Sequence, residues 1–343
     1  MPWKSCNIII PEQMLRLSDF DYKLPRELIA QYPPEERDTC RLLVLERKKK
    51  KIEHRVFKDI GDYLNKGDLL VLNDTKVLPC RLFGRRKTGG KVEVLLLKQK
   101  EALSFEAMLK PARLKLGEKI IFNNGKILGE VKARNEISFD AQDRDAIYNL
   151  GVMPLPPYIK RKPEISDNIN YQTVYAREEG AVASPTAGLH FTEDLIRKLR
   201  VQGLNIAYLT LHVGLGTFKP VKSEDITRHK MEPEYFKITE SSIKKIEEAR
   251  KSKNRIVAVG TTSLRVLETY APGRKEGYTD LFIYPGYQFK LADCLLTNFH
   301  LPKTTLFMLV CAFAGESLSK KAYQEAIDKE YRFYSYGDAM LIV

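Results

Sequence analysis

Three of the chain's five histidines, His190, His212 and His300, each close a short apolar run. Imidazole exchanges protons near neutral pH, so a histidine at the end of a buried element is a candidate general acid or base. Two of them fall within one stretch, Gly180 to Thr217, and His212 is followed by the turn Gly214-Leu215-Gly216. A second suggestive run is Gly260-Thr261-Thr262-Ser263, a glycine and three hydroxyls between an apolar segment and a helical pattern. Free N–H groups and the positive end of a helix dipole make such a turn a seat for a carboxylate or phosphate. Packing also accounts for a lone histidine, and plain capping for Thr and Ser at a helix start. The sequence has no H-E-x-x-H, C-x-x-C, G-x-S-x-G, P-loop or full G-x-G-x-x-G pattern. Their absence argues against a zinc site, a serine hydrolase and the common nucleotide cradles.

These residues need elements to hold them. Thr192 is a good N-cap, Glu193 and Asp194 favour the first turn, and Leu195, Ile196 and Leu199 repeat at helical spacing, predicting a helix over 193–202 that Gly203 stops. Residues 204–211 then read as a buried strand, so His212 and Gly214 leave its carboxyl end, where open α/β sheets hold ligands. Residues 256–259 are a second such strand, delivering Gly260, and 68–72 a third, delivering Asn73 and Asp74. Further strands are expected at 280–284 and 294–299, and short helices at 24–31 and 59–64. The apolar run 306–315 reads as a buried helix, about half the ~20 residues a membrane span needs.

Between Arg81 and Arg134 the texture changes to short alternating runs broken by turn signals, the pattern of a small β-barrel. That stretch holds fourteen Lys or Arg against five Glu and no Asp, which is more than half of the net charge of +13. Such concentration points to a polyanion facing this module. Three prolines then stiffen 151–161, presenting Tyr158, Lys160 and Arg161, with Tyr171 and Tyr175 beyond. Aromatics among cations suit stacking on unpaired bases, and an inter-domain packing surface is the other reading. A chain of 343 residues, 43% hydrophobic, suggests about two domains. Five scattered cysteines indicate neither a disulfide framework nor a cysteine metal site and fit a reducing cytosol. The amino end lacks a convincing signal-peptide core, so a cytoplasmic location is expected.

The runs GAVASPTAGLHFTEDL (180–195), LTLHVGLGTFKPV (209–221), VGTTSLRVLE (259–268) and TNFHLPKTTLFMLV (297–310) resemble those of the S-adenosylmethionine:tRNA ribosyltransferase-isomerases of queuosine biosynthesis. LSDFDYKLPRELIAQYP (17–33), LNDTKVLPCRLFGRR (72–86) and YRFYSYGDAMLI (331–342) fit the same family, so the likeness runs from Leu17 to the end. It implies an α/β catalytic domain, 14–76 and 152–343, interrupted by a β-barrel domain, 77–151. It also implies transfer of the ribosyl part of S-adenosylmethionine onto 7-aminomethyl-7-deazaguanine at the tRNA wobble position, giving epoxyqueuosine and releasing adenine and methionine. S-Adenosylmethionine is then a consumed substrate, and no metal or other cofactor is expected.

On that resemblance His190 and His212 are the expected base and acid, in either order. Asp74, Gly214, Gly216, Gly260, Thr261, Thr262, Ser263 and Arg265 are the expected S-adenosylmethionine contacts. Arg81, Arg85, Arg86, Lys91, Tyr158, Lys160 and Arg161 are the expected tRNA contacts. A monomer without membrane association is expected. Two rival classes stay open: an S-adenosylmethionine-dependent RNA methyltransferase, against which the missing glycine-rich loop counts, and a non-catalytic RNA-binding protein.

Overall fold

In chain order the strands are β1 (Arg41–Glu46), β2 (Lys51–Val56), β3 (Leu69–Asn73), β4 (Thr75–Val77), β5 (Arg81–Arg86), β6 (Lys91–Gln99), β7 (Ser104–Lys110), β8 (Lys119–Phe122) and β9 (Ile127–Ala133). They continue as β10 (Glu136–Asp140), β11 (Glu178–Ala181), β12 (Asn205–Leu211), β13 (Glu234–Ile238), β14 (Ile256–Val259), β15 (Glu276–Thr279), β16 (Cys294–Asn298) and β17 (Ala339–Ile342). The helices are α1 (Arg144–Tyr148), α2 (Asp167–Asn170), α3 (Glu193–Val201), α4 (Glu240–Lys251), α5 (Gly260–Thr269), α6 (Thr305–Ala314) and α7 (Glu316–Asp328). The computed structural model describes residues 15–214, 221–270 and 274–343. By its contacts the chain divides into one unit holding the chain up to Asp74, Thr173–Ala176 and Pro185–Val343, and a second holding Thr75–Gln172 and Arg177–Ser184.

The first unit is built on a sheet in the order β15-β13-β12-β3-β14-β16-β17-β1-β2. Its middle strands β12, β3, β14 and β16 are mutually parallel. Every residue of β3, β14 and β16 is buried, as expected of strands covered on both faces. One face shares a core of Leu70, Leu72, Ile206, Val257, Val259 and Leu296 with Leu195, Ile196 and Leu199 of α3. The α3 cap forms as its sequence predicts, Thr192 Oγ1 accepting from the Leu195 N–H at 3.1 Å. Because the four parallel strands end together, His212, Asn73-Asp74, Gly260 and Asn298 line one carboxyl edge of the sheet.

The second unit contains a closed barrel in the order β10-β7-β6-β5-β8-β9, filled by residues such as Leu82, Val94, Phe105, Ile120, Phe122 and Ile137. Alternation along β5 turns Leu82 and Gly84 inward and leaves Phe83 and Arg85 exposed. Outside the barrel, β4 and β11 pair in parallel, and the Gln172 amide bonds both the N–H and the carbonyl of Val77 at 3.0 Å. The expected α/β class with a small all-β barrel is therefore what the chain forms.

Several local expectations are corrected. Residues 280–284 are irregular; the neighbouring edge strand is β15, which takes its pairing from β13. Residues 24–31 hold only a 3-10 turn, Arg26–Leu28, because Leu28 and Ala30 bond the backbone of Phe333 instead of continuing a helix. The stretch expected at 59–64 is instead part of a 3-10 segment, Phe57–Tyr63, which ends before Leu64. Tyr171 is fully buried and cannot stack on an RNA base.

Candidate active site

Asn73, at the end of β3, ties the sheet edge together. Its Oδ1 accepts from the Leu211 N–H at 3.0 Å, and its Nδ2 donates to the Leu211 carbonyl at 3.1 Å and to Thr262 Oγ1 at 3.3 Å. One buried amide thus fixes the exit of β12 against the first turn of α5. Asp74 beside it is buried and accepts from Thr210 Oγ1 at 2.8 Å. A buried carboxylate held at a strand end by a neighbouring hydroxyl is suited to hydroxyl or ammonium groups of a ligand.

At the start of α5, Gly260 has φ of +90°, a conformation that disfavours any side chain. No side chain caps this helix, so its first-turn N–H groups are left for another acceptor. Ser263, fully buried in the same turn, has a hydroxyl without a partner among the described residues. Arg265, two residues on, is turned elsewhere. Its guanidinium pairs with buried Glu234 and donates to the carbonyls of Leu281 at 3.0 Å and Thr279 at 3.4 Å. Glu234 Oε1 in turn accepts the Gly214 N–H at 2.9 Å. The pair therefore anchors the backbone that follows β12, and Arg265 reaches that segment through Glu234. Gly216 lies outside the described residues.

His190 closes a 3-10 turn, Thr186–His190, and is buried. Its Nε2 is 3.1 Å from Asn298 Nδ2 and its Nδ1 is 3.1 Å from Cys40 Sγ. Asn298 Nδ2 also donates to the Tyr334 carbonyl at 3.0 Å, which fixes the amide's orientation. The amide N–H must then donate to Nε2, so Nδ1 carries the ring proton and faces the Cys40 sulfur. Burial, with the Arg332 charge adding to it, pushes the imidazole down to about 3. His190 is a neutral ring with both nitrogens engaged.

His300 is likewise buried, 2.8 Å from Thr297 Oγ1, and burial lowers it to about 3. Its backbone bonds the hydroxyls of Tyr22 and Tyr323 within an aromatic cluster, which gives it a packing role. His212 differs: it is only half-buried and stacks on Tyr235 with centroids 5.6 Å apart and planes at 22°. The three rings share one sheet edge, but β12 and β16 are separated by three interstrand steps of ~4.8 Å, roughly 14 Å. His190 and His212 therefore stand at opposite ends of that edge.

Tyr175 completes this wall. Its hydroxyl lies over Gly188, where a Cβ would stand 2.1 Å from it, and it has no hydrogen-bond partner among the described residues. Burial raises the phenol, with Tyr208 and Asp74 adding to the effect and Arg37 opposing it. Arg37 is itself lowered by burial. A buried hydroxyl without a partner, close enough to Asp74 and Arg37 to feel their charges, is a polar group that calls for a reason.

The expected nucleic-acid contacts of the second unit divide into two groups. Arg86 is paired with Glu118, Nε to Oε1 at 2.5 Å, and Arg161 forks onto buried Asp167 at 2.7 and 2.6 Å. Arg81 lies 3.5 Å from Glu93. Lys160 Nζ donates to the Pro157 carbonyl at 3.0 Å, and Tyr158 beside it is half-buried. Arg85 and Lys91, by contrast, are exposed and make no ion pair among the described residues.

Sequence reasoning placed Asn73 at a strand end without giving it a role, missed Glu234, Asn298 and Cys40, and gave Tyr175 a different surface. A role for Asn73 and Asn298 could have been found, since each is an amide closing a largely apolar buried strand, where a polar residue needs a reason. Glu234 and Cys40 carry no local signal.

A buried polar network along the carboxyl edge of a parallel sheet, together with a basic closed barrel, defines an α/β enzyme with a separate cationic module. A family model described as "Queuosine biosynthesis protein" matches residues 17–342, and the chain belongs to that family. The chain is 53% identical over 336 residues to the S-adenosylmethionine:tRNA ribosyltransferase-isomerase of Sulfurihydrogenibium sp. (strain YO3AOP1), covering 96% of this chain and all of the relative. It is 51% identical to the protein of the same name from Thermotoga petrophila, with the same coverages. The crystal structure of S-adenosylmethionine tRNA ribosyltransferase from Thermotoga maritima at 2.00 Å resolution aligns at a TM-score of 0.56 and 39% identity, over 95% of this chain and all of that one.

Proposed function

We propose that the chain is a tRNA-modifying transferase-isomerase that moves the ribosyl part of S-adenosylmethionine onto the aminomethyl group of 7-aminomethyl-7-deazaguanine at the tRNA wobble position. Epoxyqueuosine forms, and adenine and methionine leave. The observation that carries this reading is the likeness to enzymes of that name along their entire length. S-Adenosylmethionine is a substrate here, and the reading includes no further cofactor. The reading extends to a cytoplasmic monomer, with 14–76 and 152–343 as catalytic domain and 77–151 as inserted barrel.

The sheet edge supports a division of labour. The sulfonium acidifies the adjoining ribose methylene, so a base near that carbon starts the reaction, and the departing adenine needs a donor. His212, half-buried and at the mouth of β12, suits proton transfer better than His190, which is buried and held neutral by that burial. His190 then acts by holding the Asn298 amide. The first turn of α5, with Thr261, Thr262 and the spare Ser263 hydroxyl, suits the methionine carboxylate. Asp74 suits the ribose hydroxyls or the ammonium. Gly214 and Gly216 would bring backbone close to the nucleoside. Arg265 is read as a positioning residue acting through Glu234.

On the barrel side, Arg85 and Lys91 are the favoured phosphate contacts. Arg81, Arg86, Tyr158, Lys160 and Arg161 shape that surface through their own internal bonds. The test is incubation with S-adenosylmethionine and tRNA bearing the aminomethyl-deazaguanine, following free adenine and tRNA mass. A methyltransferase would give S-adenosylhomocysteine and a one-methyl gain instead.

A further inference from the structure

The outer face of the barrel carries a groove of about 880 Å³, formed within the second unit alone. Phe83 lines it and is 58% exposed, although a phenylalanine on a strand ordinarily turns inward. Around the ring stand Arg85, Lys91, Lys110 and Lys162, all exposed, with Glu93 as the acidic member. Glu93 is already shared, 3.5 Å from Arg81 and 3.7 Å from Lys110. Arg85, Lys91 and Lys162 make no ion pair among the described residues, so the groove keeps a cationic rim around an aromatic platform. The wider module has the same bias, fourteen Lys or Arg against five Glu over 81–134.

A planar apolar face amid unpaired cations matches one chemistry: a base stacked on the ring while its flanking phosphates meet the rim. A double helix keeps its bases stacked inside and offers the ring nothing, whereas an unpaired nucleotide offers both partners at once. Charge complementarity selects nucleic acid over an apolar peptide. We infer that this groove binds an unpaired nucleotide of the tRNA, with Phe83 as its stacking platform and Arg85, Lys91 and Lys162 as its phosphate contacts. The inference rests on the proposed tRNA substrate and adds a recognition point within the second unit.

The test compares dissociation constants of the full chain for the substrate tRNA transcript, across a series of salt concentrations. Phe83→Ala weakens binding about tenfold and leaves the salt slope alone, because stacking releases no counterions. Phe83→Tyr restores affinity and Phe83→Leu does not. Lys91→Gln instead lowers the slope by about one. Leu116→Ala, which trims another exposed apolar side chain of this unit outside the groove, changes neither. Unchanged affinity in Phe83→Ala, or equal rescue by Leu and Tyr, overturns the proposal. Binding is read without turnover, so a wild-type chain that binds tRNA in this pattern yet releases no adenine would overturn the transfer reaction and leave the groove standing.

Discussion

The Asn298 side-chain amide donates to His190 Nε2 at 3.1 Å while donating to the Tyr334 carbonyl at 3.0 Å. Tyr334 holds this position with φ of +75°, an uncommon conformation for a tyrosine that costs about 1–3 kcal/mol. The strain, the neutral imidazole and the buried amide form one unit at the end of β16. Replacing His190 by Phe leaves an amide N–H unpaired and is expected to cost roughly 1–3 kcal/mol of stability, read from urea midpoints. His190→Gln, which keeps an acceptor, should lose less.

Stability should also fall on mild acidification. The folded chain keeps His190 and His300 neutral down to about 3, whereas an ordinary imidazole takes its proton near 6.5. Between those values the unfolded chain binds more protons, so stability is present above pH 6.5 and is lost as pH falls. Each ring contributes up to about 1.4 kcal/mol per pH unit in that window. Urea midpoints from pH 7.5 to 5.0 should decline, and His190→Gln should flatten the decline. A flat wild-type profile would mean that these rings are not held neutral.

The Arg265–Glu234 pair predicts a different response. Glu234→Gln leaves a guanidinium buried without its counter-charge and is expected to cost about 3–5 kcal/mol, detectable by urea titration. The double change Glu234→Leu with Arg265→Met should recover part of that stability. It should not recover activity, because Glu234 also holds the Gly214 N–H.

Single-turnover kinetics separate binding from chemistry at the sheet edge. His212→Ala should lower the chemical step by about 10²–10⁴-fold with tRNA affinity near that of the parent. Asp74→Asn should chiefly raise the KM for S-adenosylmethionine. Equal losses of tRNA binding in both variants would contradict the roles given to His212 in the chemical step and to Asp74 in holding S-adenosylmethionine.

Much of this arrangement is legible in the sequence because apolar runs and punctuation dominate it. Leu69–Asn73, Asn205–Leu211 and Ile256–Val259 announce themselves as buried strands, and their ends name Asp74, His212 and Gly260. The short alternating runs of 81–134, broken by turn signals, announce the barrel. The partners of these residues are another matter. Cys40 meets His190 across 150 positions and Asn73 meets Leu211 across 138, and no local pattern encodes such pairings. Exposure is equally hidden: Arg86 and Arg85 are adjacent, yet one is paired with Glu118 and the other is open to solvent.

The most direct test of the central claim follows free adenine and tRNA mass when the protein meets S-adenosylmethionine with tRNA carrying either guanine or 7-aminomethyl-7-deazaguanine at the wobble position. Ribosyl transfer predicts stoichiometric adenine with a matching mass gain only on the deazaguanine tRNA. A gain of one methyl group with no adenine, or no change in either quantity, would contradict it.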